Sequence, residues 1–347
     1  MEIKITIEPL SDAVAEAYAR MMPEHADGVA RGRLPWRFNA NPASSSVFTV
    51  AREAGTNAIV GIIAFIATHM ILRGNPITGY QAMDNVVDPI CRKQGLFTRQ
   101  VNAFYDMALR TKVPLLYGFP NENAAPGWFR KLGWIRLGSP PFLIKPLRTG
   151  YFLKRLLGER ARFLDFPLCF PHRSNASRIK TIERFNASAD ALWKIFAANI
   201  NCAVIRDHAY LNWRIIDHPQ VNYTTKGVYA EDGALEAFIS YIVLEKHGGR
   251  VGYVMEAICL PGKESVLRAL FRDAIADCIT KKADVLLAWC YTHAPNYRAY
   301  RGAGFWPFPE RIRPIHLHFG YRPLGAEINP AFLSEDWYLS YLDTDTV

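Results

Sequence analysis

Cysteine is sparse and unpatterned in this chain. The six residues, at positions 91, 169, 202, 259, 278 and 290, form no C-x-x-C pair and have no histidine at ligand spacing. That excludes a disulfide frame or a zinc site as the organising element and predicts reduced, mostly buried thiols in a cytoplasmic protein with no metal. Long apolar runs are missing as well. The longest, residues 58–72, contains Thr68 and His69 and falls short of the ~18 positions a membrane helix needs, so it predicts a buried hairpin strand. The first residues alternate in polarity like a strand and carry no signal-peptide core. A Walker-type phosphate loop is absent too: Pro261-Gly262-Lys263-Glu264-Ser265 lacks the upstream glycine and the hydroxyl directly after the lysine.

What is present is a globular chain of 347 residues, half apolar and only 21% charged, which excludes disorder and suggests two domains. The net charge of +9 is unevenly spread: +5 over residues 1–147, +6 over 148–184 and −2 over 185–347. Such an asymmetry points to an anionic ligand handled by one half of the molecule.

The halves repeat one another. Trp36-Arg37 with Pro42 matches Trp213-Arg214 with Pro219, and Gly79-Tyr80 with Pro89 matches Gly252-Tyr253 with Pro261. An acid stands five residues before each of the later prolines, Asp84 and Glu256. Each copy continues with a helical stretch (98–110; 265–280), a short apolar strand (115–119; 285–289) and a closing Gly-aromatic signature, Gly133-Trp134 and Gly304-Phe305. Three ordered landmarks at near-equal spacing predict a tandem duplication. The reading is α/β (α+β): two domains, 1–147 and 185–347, each a mixed, mostly antiparallel sheet flanked by helices, joined by a basic connector, 148–184. In the connector, Leu153, Leu156, Leu157 and Leu164 oppose Lys154, Arg155, Arg160 and Arg162, the pattern of an amphipathic helix that packs across the domains or lies on a membrane surface.

The strongest local signal is Val86-Val87-Asp88-Pro89-Ile90-Cys91-Arg92-Lys93-Gln94-Gly95-Leu96-Phe97: a strand, a basic turn, and a glycine opening a helix. A glycine there lets successive N–H groups face one point, and a helix N-terminus adds about half a positive charge. Either the turn is an anion cradle or Gly95 merely joins strand to helix.

In order with Asn121, Asn123 and Phe129-x-x-x-Gly133-Trp134, this segment resembles the acyl-CoA-binding core of the GNAT superfamily of N-acyltransferases. The resemblance implies a pyrophosphate held by the amides of Arg92, Lys93, Gln94, Gly95, Leu96, Phe97 and Thr98. It further implies pantetheine beside the strand before Pro89, a thioester carbonyl polarised by the amide of Val86 or Val87, and Asn121 or Asn123 against pantetheine. Phe97 stands where the superfamily usually has a small residue, and Phe129 where many members have a tyrosine that protonates the departing thiolate. The second copy has Tyr300 there but lacks the Arg-x-x-Gly turn, so it is expected to bind no CoA.

Transfer to an amine uses a base, and the candidates are Asp84, Glu256 and His293. Arg206-Asp207 and Asp343-Thr344-Asp345 are weighed as acceptor contacts against an internal anchor and a solvated tail respectively. The function expected is an N-acyltransferase moving the acyl group of acetyl-CoA or another acyl-CoA to the primary amine of a small molecule, an amino sugar or amino acid, with no nucleic-acid partner. The alternatives are an acyl-CoA sensor without turnover and a Fem-like aminoacyl transferase.

Overall fold

The 58–72 stretch folds as the long, buried strand its composition requires. The structure, a computed structural model, describes residues 2–23, 32–43, 46–158, 164–170, 178–313, 316–325 and 332–344. In the first half the elements are β1 (Ile3–Glu8), α1 (Asp12–Met21), α2 (Arg33–Phe38), β2 (Val47–Glu53), β3 (Ile59–Leu72), β4 (Asn75–Val87), α3 (Leu96–Arg110), β5 (Leu115–Gly118), β6 (Ile135–Gly138) and β7 (Phe142–Pro146). A helix α4 (Gly150–Leu157) and strand β8 (Ile179–Thr181) follow, then α5 (Ala187–Phe196), β9 (Cys202–Val204) and α6 (His208–Leu211). The chain ends with β10 (Thr224–Tyr229), β11 (Leu235–Lys246), β12 (Gly249–Cys259), α7 (Glu264–Thr280), β13 (Val285–Trp289), α8 (Tyr297–Gly302), β14 (Trp306–Pro307) and β15 (Phe319–Pro323). Of the proposed connector helix, residues 159–163 lie outside the described residues.

Two sheets result, and they read alike strand for strand. The first runs β1-β2-β3-β4-β5-β15-β6, with β9 against β3; the second runs β8-β10-β11-β12-β13-β7-β14. In both, all pairings are antiparallel except the central crossover, β4 with β5 and β12 with β13. The helices that follow β4 and β12 pack by a spacing of three to five residues. In α3 this buries Leu96, Gln100, Val101, Phe104 and Ala108, with the Phe104 ring 3.8 Å from that of Phe65 on β3.

Two strands cross the sequence division at residue 147. β7, placed in the first half, pairs along its length with β13 of the second sheet, while β15 crosses back to stand between β5 and β6. Each sheet takes in a strand from the other half, set next to its last strand. The sequence carries no sign of this, because an apolar five-residue strand fits either sheet equally.

Candidate active site

β4 is built to leave a gap beside it. It pairs with β5 only at Tyr80–Leu116 and Gln81–Tyr117, and the two strands then part. Gly118 permits the parting at close quarters, since a side chain there would meet the Ala82 carbonyl at 3.1 Å and the Trp134 ring at 3.3 Å. The cleft that opens holds about 550 Å³ and is lined by Ala82, Met83, Asp84 and Asn85 on one wall and Phe119, Asn121, Asn123 and Trp128 on the other.

Asp84 marks its mouth. The β3–β4 register jumps between Ile63 and Ala64, leaving Asp84 as the extra residue of a bulge, at φ +43°. A bulge re-aims the side chain it carries, and here the Asp84 carboxylate leaves the sheet to meet two donors. Its Oδ2 accepts from the Tyr18 hydroxyl (2.6 Å) and from Arg37 Nη1 (3.0 Å). Tyr18 and Arg37 give no signal of this in the sequence, because each sits on a different helix in the apolar-periodic part of the chain.

Below the bulge the backbone amides alternate. Asp88 N–H turns inward to the Val60 carbonyl, so the N–H and C=O of Val87 face the open edge of β4, and those of Val86 face β3. Arg92 Nε donates to that edge, at the Val87 carbonyl (3.1 Å). Of the turn residues, the Arg92 amide is already engaged with Pro89 O. The next backbone bond is Arg99 N–H to Gly95 O, so among the described residues the amides of Lys93, Gln94, Gly95, Leu96, Phe97 and Thr98 reach no backbone carbonyl. Lys93 (φ +63°) and Gly95 (φ +72°) both adopt the left-handed conformation, which turns these amides toward solvent at the start of α3. Phe97 fits because Gly127 leaves room for its ring, which meets Trp128 edge-on at 5.1 Å.

No protein-family description matches the chain, and no curated protein matches it by sequence. The architecture does have solved counterparts. Two structures of Saccharomyces cerevisiae N-myristoyltransferase with bound myristoyl-CoA superpose with TM-scores of 0.60 and 0.59 at 11% and 13% identity, over 92% of this chain and 82% and 79% of theirs. A conserved protein of Enterococcus faecalis V583, described as a probable N-acyltransferase, gives 0.57 at 10% identity over 93% of this chain and 73% of its own.

The fold is GNAT-like, built on two sheets.

Within that fold the second half differs from the first at the matching landmarks. Its bulge falls on Met255, and Glu256 pairs in register with Ser240, so the two acids do not share a position in their sheets. Glu256 is fully buried and both its oxygens are occupied. Oε1 accepts from Tyr338 Oη and from the Ala257 N–H, and Oε2 from Arg206 Nε (2.9 Å) and Ser340 Oγ (2.8 Å). Arg206 also donates to Asp343 Oδ2 at 2.7 Å. These contacts bind residues 337–344 across the second copy, where the Tyr341 ring stacks on Trp289 at 4.8 Å. Glu256 is therefore a buried internal partner of Arg206, and Arg206 is committed to Glu256 and Asp343. Asp343 is not the solvated tail its sequence suggests, since two acids near a terminus give no hint of a buried arginine 137 residues away. Asp345 lies outside the described residues.

His293 stands with its Nε2 2.9 Å from the Trp337 carbonyl and its ring stacked on Tyr291, an anchor for the same segment. Tyr300 is sealed between Phe271 and Phe305, and burial pushes its hydroxyl well above the usual range. Asn121 and Asn123 both line the cleft and are exposed; Asn121 uses its side-chain oxygen to accept from the Ala124 N–H. Among the described residues no group of three His, Cys, Asp or Glu is arranged to hold a metal.

Proposed function

We propose that the chain is an acyl-CoA-dependent N-acyltransferase, in which the β4–β5 cleft holds the acyl-CoA and the acceptor amine enters from the side of the second half. The observation that carries this reading is the continuous open edge of β4, running from the bulged Asp84 through the Val87 amide to the unbonded amides at the start of α3. A pantetheine arm laid along that edge would place its pyrophosphate at the turn 93–98 and its thioester near Val87. The amine would then attack the thioester carbon, the carbonyl oxygen gaining charge against a fixed N–H, as in other acyl-transfer sites. The C–S bond breaks and CoA leaves as a thiolate. A thiol of pKa about 8.5 is a fair leaving group unaided, which suits a chain with Phe129, a side chain that has no proton to give. Asp84, oriented by Arg37 and Tyr18, is the group placed to take the proton from the amine, directly or through water.

The acceptor we favour is a small primary amine, an amino sugar or amino acid, and the donor acetyl-CoA. Bound myristoyl-CoA in the superposing yeast enzyme favours a second reading for the donor, a long-chain acyl-CoA. Free CoA thiol is the readout: acyl-CoAs from acetyl to myristoyl are incubated with a panel of amines, alongside calorimetry for CoA. Release with one donor chain length assigns the donor. Binding without release across the panel would leave a sensor, and absence of binding would overturn the cleft assignment itself.

A further inference from the structure

A separate pocket lies against the second sheet and shares no lining residue with the β4–β5 cleft. It holds about 410 Å³, within the range that takes an organic ligand. One face of the sheet makes its floor. Val251 pairs with Val285, and Ile144 with Leu287. Paired residues share a face, as do Val285 and Leu287 two positions apart, so these four side chains form one apolar surface. Phe152 of α4 adds an aromatic wall.

Two arginines, Arg311 and Arg313, line the same pocket, and among the described residues no aspartate or glutamate does. Arg311 is exposed, and its guanidinium has no hydrogen-bond or ion-pair partner among the described residues. Arg313 is half-buried and reaches only neutral acceptors. Its Nε and Nη2 donate to the Phe308 carbonyl (2.8 and 2.6 Å), and its Nη1 to Ser139 Oγ (2.6 Å) and the Pro140 carbonyl (3.4 Å). Nη2 carries two hydrogens, so one is left without an acceptor among the described residues. Burial pulls the Arg313 guanidinium below the ordinary arginine range, opposed by the nearby charge of Glu310 and by Tyr341. Glu310 itself forms no ion pair with either arginine among the described residues. A cation drawn partly out of water with no acid against it is costly until an anion joins it.

We propose that this pocket binds a fatty acid, its alkyl chain on the sheet face and its carboxylate at Arg311 and Arg313. The lining calls for both parts at once. The apolar floor gains nothing from a small hydrophilic anion, and the guanidiniums, which meet a carboxylate in a planar two-point contact, gain nothing from an uncharged chain. The inference stands apart from the proposed acyl transfer, because the pocket belongs to the second sheet.

The test is calorimetric titration of the full chain with dodecanoate, against dodecanol and acetate as controls, with and without saturating CoA. Dodecanoate is expected to bind at one site per chain, in the presence of CoA as in its absence, and roughly tenfold or more tighter than either control. Arg311→Glu, a change at an exposed position that keeps the parent's thermal midpoint, should weaken dodecanoate binding roughly tenfold or more. The proposal is overturned by absence of dodecanoate binding, by dodecanol or acetate binding equally well, by displacement of dodecanoate with CoA, or by an Arg311→Glu variant that binds dodecanoate as the parent does. A chain that binds dodecanoate but no CoA would overturn the cleft assignment and leave this one standing.

Discussion

The indole N–H of Trp36 donates to the carbonyl of Trp213, and the indole N–H of Trp213 donates to the carbonyl of Trp36, at 2.8 and 2.9 Å. Their rings stack at 5.2 Å between them, both buried. The exchange is reciprocal, as two related halves meeting about an approximate twofold would make it, and it supports the reading of a duplication. Trp213→Phe keeps the ring but leaves the Trp36 carbonyl buried without its donor. The expected cost is roughly 1–3 kcal/mol in urea unfolding. Because the two bonds share one packing unit, Trp36→Phe in the same chain should add less than its own single cost.

Gly95→Glu tests the anion cradle. The position has φ +72°, where a side chain costs about 1–2 kcal/mol, and open space around it, so the fold is retained. The carboxylate would face the place where a pyrophosphate should sit. Calorimetric CoA binding is expected to vanish in Gly95→Glu and to weaken only severalfold in Gly95→Ala; equal affinity in both would place the phosphates elsewhere.

Asp84→Asn separates chemistry from binding. The amide keeps the Tyr18 contact and the shape of the bulge but cannot take a proton. CoA affinity should hold while turnover with a good amine acceptor drops by roughly 10²–10⁴-fold, the usual worth of a positioned base. Unchanged turnover would reassign the base to water.

Arg206→Met strips the positive member from a fully buried group. Asp343 and Glu256 would both remain without it, buried inside the second half. Removing one partner of a buried pair costs about 3–5 kcal/mol. The loss should appear as a lower urea midpoint. Proteolysis of residues 337–344 in the native state should also begin earlier, because that segment is fastened through Arg206.

His218 gives the stability an acid edge. Burial first, then Arg214, Arg33 and Arg37, pull its imidazole down to about 3 from the ordinary value near 6.5. Its Nδ1 accepts from the N–H groups of Gln220 and Val221, which a neutral ring allows. Between about pH 6.5 and about pH 3 the unfolded chain binds a proton that the folded chain refuses, so stability is full above this window and declines as pH falls through it. His218→Asn keeps an acceptor and removes the titration. Its thermal midpoint should fall less than the parent's between about pH 7 and pH 4.

Elements set by local pattern were readable in advance. β13 and the strand–turn–helix from Val86 to Thr98 lie where periodicity and the glycine put them. What the sequence withheld was long-range. The bulge shifts the phase of β12 by one residue, so the shared spacing of Asp84 and Glu256 to a proline misled. Arg206, weighed as an acceptor contact or an internal anchor, is held by partners 50 and 137 residues away. No windowed pattern contains pairings of that reach.

The exchange of β7 and β15 sets a clock on synthesis. The open side of β5 finds its partner at Gly320, about two hundred residues after Gly118 leaves the ribosome. At roughly 5–20 residues per second the first sheet waits on the order of 10–40 s with a strand edge uncovered. During that interval the nascent chain offers the uncovered edge of its first sheet to any other strand nearby.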